Sequence, residues 1–520
     1  MTINLTQGLH RALQRNPQGT ATIFQGRRHS FATFADRVAR LAAALRAAGM
    51  ATGDRIGMLS LNSDRYLEYY LAVPWGGGIV NPCNIRWSAA EVAYSLDDCD
   101  TRILIVDDAF LAMAGELKQK SKSLKLLIHA GDGPAPEGML SYEAILAAAA
   151  PMADMRRAGD DVMGVFYTGG TTGFPKGVAL THGSIFASSL ALTADLAWPQ
   201  EAVYLHAAPM FHMADTAFGF AQVIRGGAHV IIPAFTPPVT LQALQDEKVT
   251  TVLLVPTMIQ MVVDHPDIAR YDLSHLRTVV YGASPISDAV LRRAMAAIPS
   301  AGFVQAYGMT ELSPVATVLP ADWHVLEGPK SGRLRAAGRA ALCCEVRIVD
   351  PEGREVPRGT VGEVAVRGPN VMKEYWNQPE LTANAVRDGW MHTGDGAYMD
   401  DEGFIYVVDR MKDMIVSGGE NVYSAEVENA LMQHRGVAMC AVIAVPDPKW
   451  GERVHAVIVR RAGVDVAEDD LVAHCRDLIA GYKCPRSIEF RDALPISGAG
   501  KILKAQLRDP YWADVARKVN

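Results

Sequence analysis

Cysteine is scarce in this chain of 520 residues: Cys83, Cys99, Cys343, Cys344, Cys440, Cys475 and Cys484, with no Cys-x-x-Cys array among them. That spacing excludes the usual zinc frameworks and a disulfide scaffold, and free thiols point to a reducing compartment. There is no surplus of positive charge, since 50 Lys and Arg stand against 57 Asp and Glu for a net −7. Proteins that neutralise nucleic-acid phosphates carry the opposite balance, so no nucleic-acid partner is expected. No apolar run is long enough to span a bilayer, and Met1 to Gln14 lacks a basic stretch followed by an apolar core, so neither a membrane span nor a signal peptide is expected. Internal repeats and low-complexity tracts are missing as well. What remains is an ordinary globular composition, 49% hydrophobic and 21% charged, in a chain longer than one domain usually is. A cytoplasmic enzyme is the expectation.

The most informative stretch is Tyr167-Thr168-Gly169-Gly170-Thr171-Thr172-Gly173-Phe174-Pro175-Lys176-Gly177. An apolar segment of strand character, Val162 to Phe166, precedes it, and a helical pattern begins after His182. Glycines let backbone N–H groups close around an anion, and threonine hydroxyls and a lysine add donors. That is what a polyphosphate needs. The stretch is not a Walker loop, which requires Gly-Lys-Ser/Thr with four residues between its glycines. A plain turn is the competing reading, and four glycines with three threonines and a Pro-Lys-Gly end make it the weaker one.

Elsewhere strands and helices alternate. Phe34, Val38, Leu41, Ala42 and Leu45 repeat at helical spacing, with Gly49 at the end as a cap. Buried strands are expected at 54–59, 102–106, 228–232, 251–255 and 278–281, and a helix through Tyr66, Tyr69, Tyr70 and Val73. The alternation predicts an α/β fold with a doubly wound, mostly parallel sheet. From Val346 the text changes to short glycine-rich alternating strands, Glu345 to Val349 and Gly362 to Arg367, predicting a small β-barrel or meander. Charged residues cluster at Arg410-Met411-Lys412-Asp413 between two apolar strands and mark a boundary. Residues 412–520 then form a smaller α+β unit after a large unit at 1–411.

Further motifs carry chemistry. Tyr307-Gly308-Met309-Thr310-Glu311 offers a ring for a purine face, a hydroxyl for a phosphate oxygen and a carboxylate for Mg²⁺. Trp390 to Asp395 ends in a carboxylate able to accept ribose hydroxyls. Ser417-Gly418-Gly419-Glu420 has paired glycines where something narrow could pass along backbone, or is a simple turn. Near the end, Gly500-Lys501 follows a small-residue loop, and a lysine so placed can reach into a cleft and neutralise an oxyanion. Lys504 reads as a surface charge.

In this order the motifs resemble those of the adenylate-forming superfamily of acyl-CoA synthetases, peptide-synthetase adenylation domains and firefly-type luciferases. The family loop is Thr-Ser-Gly-Thr-Thr-Gly-x-Pro-Lys-Gly, and Gly169 stands here where serine is usual, removing one hydroxyl. The resemblance spans nearly the whole chain. It implies ATP and Mg²⁺ use, with the nucleotide held by Thr168, Gly169, Gly170, Thr171, Thr172, Gly173, Lys176, Gly282, Ala283, Ser284, Gln305, Tyr307 and Gly308. It further implies Thr310 at the α-phosphate, Glu311 at Mg²⁺, Asp395 at the ribose, Arg410 at ribose or phosphate, and Lys501 as the catalytic lysine. Lys412 would be the hinge of a mobile C-terminal domain. Gly418, Gly419, Glu420 and Trp450 would serve CoA, Trp450 being equally readable as a core residue.

His212 resembles the family's gate beside the acyl carboxylate, and it replaces the aspartate that holds an amino group in peptide synthetases. His212, Met213, Ala214, Gly308 and Met309 would line the acyl pocket. Asn84-Ile85-Arg86-Trp87 resembles an Asn-x-Arg segment of fatty-acyl and aryl ligases and reads equally as a connecting loop. The resemblance implies an ATP-dependent carboxylic acid–CoA ligase, and the segments expected to border the acid, 211–218, 255–263, 282–284 and 308–315, are mostly apolar or small, which suggests a medium or long fatty acid. An aryl acid of cinnamate or benzoate type, or a carrier protein in place of CoA, are the alternatives, the last weakened because no carrier module precedes Asn520. The oligomeric state stays open, a homodimer included.

Overall fold

The computed structural model describes residues 3–169, 175–199, 201–411, 413–498 and 500–513. Two large sheets carry the N-terminal unit. One runs Glu374–Tyr375, Lys176–Thr181, Val162–Thr168, Ile79–Pro82, Arg55–Leu59, Ile103–Val106, Leu126–His129, Leu140–Ser141. The other centres on the parallel strands Ala228–Ile231, Val203–His206, Thr251–Leu253, Thr278–Gly282 and Gly302–Tyr307. The strand Ile103–Val106 is apolar at every position and buried throughout, as a parallel strand covered on both faces requires.

The helix Asp64–Trp75 lies between the sheets, and all its residues are buried. Two of its three tyrosines, Tyr69 and Tyr70, are hydrogen-bonded, one to each side, while the buried Tyr66 hydroxyl has no partner among the described residues. Tyr69 donates to the Ile56 carbonyl at 2.7 Å and accepts from the Asn81 amide, while Tyr70 donates to the Met210 carbonyl across the seam. A buried hydroxyl without a partner would cost about 1–3 kcal/mol, so these bonds allow tyrosine where only apolar rings would otherwise fit.

A five-stranded antiparallel sheet follows, built on Glu345–Val349, Gly362–Arg367 and Trp390–Met399 and joined by Ile405–Arg410. It is a meander, as expected for this stretch. The next sheet is separate: Glu420–Val422, Ile415–Ser417, Gly451–Arg460, Val437–Asp447 and Ser487–Phe490, over its own apolar core from Ile415 to Ile488. The chain therefore passes from one sheet to another between Arg410 and Ile415.

Two expectations change. The glycine-rich stretch is not all loop: Tyr167 and Thr168 end one strand and Lys176 and Gly177 begin its antiparallel partner, paired Thr168 to Lys176 and Tyr167 to Gly177. The two ends of the stretch are thus antiparallel strand residues, and 170–174 between them lie outside the described residues. Lys504 is not a surface charge. Its ammonium sits 2.7 Å from Glu428 and donates to the Ser424 hydroxyl at 2.5 Å, which ties the last described helix, Lys504–Trp512, into the C-terminal core.

Candidate active site

The site collects at the carboxyl ends of the parallel strands, where ligands bind in open α/β sheets. Glu311 lies in a short helical turn, Thr310–Leu312, just beyond the strand Gly302–Tyr307. The turn is tight: a Cβ at Gly308 would overlap the Pro314 carbonyl, and one at Gly282 would overlap the Ala306 carbonyl, so both positions require glycine. Glu311 is buried, its carbonyl accepts from the Met372 amide at 2.7 Å, and its Oε1 accepts from the Tyr375 hydroxyl at 2.8 Å. Burial pushes its pKa up, opposed by Tyr375, Arg410 and Lys176.

Tyr375 belongs to the strand Glu374–Tyr375 that pairs with the Lys176–Thr181 strand, and its ring lies 5.4 Å from the Lys176 ammonium. One tyrosine therefore joins the loop lysine to the buried carboxylate. Nothing in the local sequence announced it, since the contact crosses from position 311 to 375.

Tyr307 and Asp395 are brought together. The Tyr307 hydroxyl donates to Asp395 Oδ2 at 2.8 Å. Asp395 pairs across strands with Arg410, whose Nε lies 3.4 Å from Oδ1. Thr393 Oγ1 accepts the Asp395 amide at 3.1 Å and holds the carboxylate's backbone in place. Gln305 accepts from the Tyr281 hydroxyl at 3.3 Å, and Ala283 takes the left-handed conformation at φ 67°, turning the chain toward Ser284.

Lys501 arrives from the C-terminal unit. Its amide donates to Ser497 Oγ at 3.1 Å, and its carbonyl accepts from the Ser497 amide at 2.7 Å. Burial and then the Arg410 charge lower its pKa to about 8, against the opposing pull of Asp395 and Glu311. His212 caps the helix Met213–Arg225, its Nδ1 accepting from the Ala214 amide at 3.3 Å. Burial and the Lys501 charge lower the His212 pKa to about 4. The ring is neutral near pH 7, and with Nδ1 accepting, Nε2 carries the proton.

Lys176, Arg410 and Lys501 therefore stand against Glu311 and Asp395, a surplus of positive charge suited to a polyphosphate. Among the described residues, no group of three or more His, Cys, Asp and Glu could hold a metal. Glu311 alone still fits Mg²⁺, which takes one or two carboxylates and completes its shell with waters and substrate phosphates.

Gly170, Thr171, Thr172, Gly173 and the hinge candidate Lys412 lie outside the described residues; Gly169 is exposed and Thr168 half-buried. Met213 is buried in the main apolar core, with Ala214 and Met309 packed against that core. Gly418 and Gly419 form a left-handed turn (φ 64° and 86°), with Glu420 beginning the return strand. A Cβ on Gly418 would stand 2.7 Å from the Trp450 ring, which also meets Arg486 at 4.3 Å and Lys449 at 4.7 Å. Half-buried Trp450 is thus packed within its own sheet, and the structure does not bring this set to the Lys501 cluster.

Residues 9–376 match the family model for AMP-binding enzymes, and residues 426–501 match the AMP-binding enzyme C-terminal domain. The chain belongs to this family. It is similar to a feruloyl-CoA synthase of Amycolatopsis sp, with 41% identity over 96% of this chain and 97% of the relative. It is 36% identical to the fatty acid–[acyl-carrier-protein] ligase ScoC of Streptomyces coeruleorubidus, over 98% and 96% of the two chains. The fold is similar to that of ATP-bound MatB from Rhodopseudomonas palustris, at a TM-score of 0.88 and 30% identity over 99% of this chain and 100% of that one. This AMP-binding enzyme is an ATP-dependent acid–CoA ligase, AMP-forming, with ATP and CoA as substrates beside the acid. No described helix is long and apolar enough to cross a membrane.

Proposed function

We propose that the enzyme activates a compact aromatic acid, of the cinnamate or benzoate type, and transfers it to CoA. The observation that carries the choice of acid is the 41% identity to a feruloyl-CoA synthase over 96% of this chain and 97% of the relative, ferulate being an acid of the cinnamate type.

In this reading the acid's carboxylate accepts a hydrogen bond from His212 Nε2–H. One carboxylate oxygen attacks the α-phosphorus of ATP, and pyrophosphate leaves. The Lys501 ammonium and Thr310 hydroxyl offset the charge on the phosphoryl oxygens, a mainly electrostatic contribution. Glu311 would hold Mg²⁺, which neutralises phosphate charge when bound. Tyr307 covers adenine, and Asp395 accepts from the ribose with Arg410 beside it. The second step needs Lys501 out and the Gly418-Gly419 turn in, by rotation about Lys412. The CoA sulfur then attacks the acyl carbonyl, and AMP leaves.

The test is pyrophosphate release over ferulate, cinnamate, benzoate, octanoate and palmitate, with and without CoA. An aryl acid should exceed the best fatty acid in kcat/KM by about 10-fold or more, the scale of discrimination that a closed apolar pocket reaches. Palmitate or octanoate as best substrate overturns the aryl reading. A fatty acid passed to a carrier protein is the second reading, favoured by the ScoC relative; acyl-CoA formed by the purified enzyme alone excludes the need for a carrier.

A further inference from the structure

We propose that the helix Pro256–Val263 is a latch that holds Lys501 in the cleft, with Thr257 and Gln260 as positioning residues for adenylation. The inference rests on the two-step reading above, in which Lys501 must be in the cleft for the first step alone.

The helix has two faces. Met258, Ile259 and Val262 are buried in the second apolar cluster of the N-terminal unit. Thr257, Gln260 and the cap residue Asp264 fall at i, i+3 and i+7, a single stripe, and each meets the C-terminal unit. Thr257 Oγ1 donates to the Gly500 carbonyl at 3.3 Å. Gln260 Nε2 donates to the Ala438 carbonyl at 2.8 Å. Asp264 lies 3.7 Å from Arg461 Nη1.

The lysine loop is shaped to this surface. Gly500 has φ 77°, and a Cβ there would lie 2.7 Å from Val255 Cγ2 and 3.2 Å from Thr257 Oγ1. A Cβ on Gly498 would lie 2.9 Å from both Arg86 Cγ and Asn84 Oδ1, and 3.2 Å from Phe211 Cζ. The loop is therefore gripped between the helix on one side and Asn84, Arg86 and Phe211 on the other. This gives the Asn84-to-Trp87 segment, otherwise a connecting loop, a surface to present. Thr257 and Gln260 touch neither the reacting atoms nor one another's partner, so each acts on adenylation only through the position of Lys501.

The experiment uses the full chain carrying Thr257→Val with Gln260→Leu, and separately Gly498→Val. Adenylate formation and thioester formation from supplied acyl-AMP are measured apart. Each hydrogen bond shifts the pose equilibrium by about 2- to 10-fold, so adenylation in the double variant should fall about 4- to 100-fold. Thioester formation should hold or rise. Hydrogen exchange without substrates gives a second reading, at the amides of Gly500, Lys501 and Leu503, which bond within the loop to Ser497 and Pro495. They should exchange faster in both variants. Equal slowing of the two half-reactions, or unchanged adenylation with unchanged exchange, overturns the latch. If the unmodified enzyme forms no adenylate from any acid, the function fails; unchanged exchange in the variants would then still reject the latch by itself.

Discussion

A lysine held near pKa 8 by burial and a neighbouring arginine has a visible pH signature. Lys501 is cationic below that value and loses its charge above it, so kcat/KM for adenylation should fall as pH rises through about 8, because kcat/KM reports groups of the free enzyme. Lys501→Arg should remove this limb from the accessible range at reduced rate, since a guanidinium stays charged. Lys501→Ala should cost about 10²–10³ in adenylation and largely spare thioester formation from supplied acyl-AMP. A pH profile of pyrophosphate release decides it, and a limb that persists in Lys501→Arg belongs to another group. At Glu311, Tyr375→Phe keeps the ring over Lys176 and removes one hydrogen bond. It should raise the Mg²⁺ concentration needed for half-maximal rate several-fold, while Glu311→Gln abolishes most Mg²⁺-dependent turnover, and neither should lower the unfolding midpoint much. Equal loss of stability and activity would make Glu311 a structural residue. Lys501 and Glu311 were legible because their neighbours in sequence carry the pattern. Tyr375 and Lys504 were not, because a tyrosine 64 positions from its carboxylate (375 − 311) and a lysine 76 from its own (504 − 428) look locally like any others.

At the level of elements, the helix that presents His212 rests on a buried polar knot. Asp215 is fully buried and accepts from the Tyr204 hydroxyl at 2.9 Å, with His206 Nδ1 at 2.6 Å; His206 Nε2 in turn meets His229 Nδ1 at 2.9 Å. Asp215→Ala would strand these groups in an apolar interior. Leaving buried partners unpaired costs about 3 kcal/mol or more, so the urea midpoint should drop clearly while Asp215→Asn loses less. An unchanged midpoint would mean that the knot relaxes or takes in water. Strands such as Ile103–Val106 and Thr278–Gly282 could be read from apolar runs alone. The pairing of Thr168 with Lys176 could not, because glycine and lysine are depleted in strands and each strand partner lies beyond the intervening residues.

For the molecule as a whole, the passage from one sheet to the next between Arg410 and Ile415 is where a rotation would have to be absorbed. Lys412→Pro fixes φ near about −65°, and the two half-reactions should separate: adenylation persists, thioester formation collapses. Assaying both on one preparation tests the pivot, and intact thioester synthesis would place it elsewhere. Two-unit organisation was legible from the charged cluster and the change of pattern around it. The docking of the units was not, since it depends on glycines meeting side chains some hundreds of positions away.

The Pro256–Val263 helix has a double exposure with a practical cost for anyone redesigning the enzyme. Its first turn lies beside the lysine loop, and the same segment was expected from sequence to border the acid. Selectivity and timing then share one piece of hardware. A substitution made there to admit a bulkier acid would also alter how long the lysine dwells in the cleft, so a gain in acceptance could surface as lost turnover. Broadening the range of acids is better attempted at Ala214, which packs against the main apolar core and, among the described residues, makes no hydrogen bond to the lysine loop.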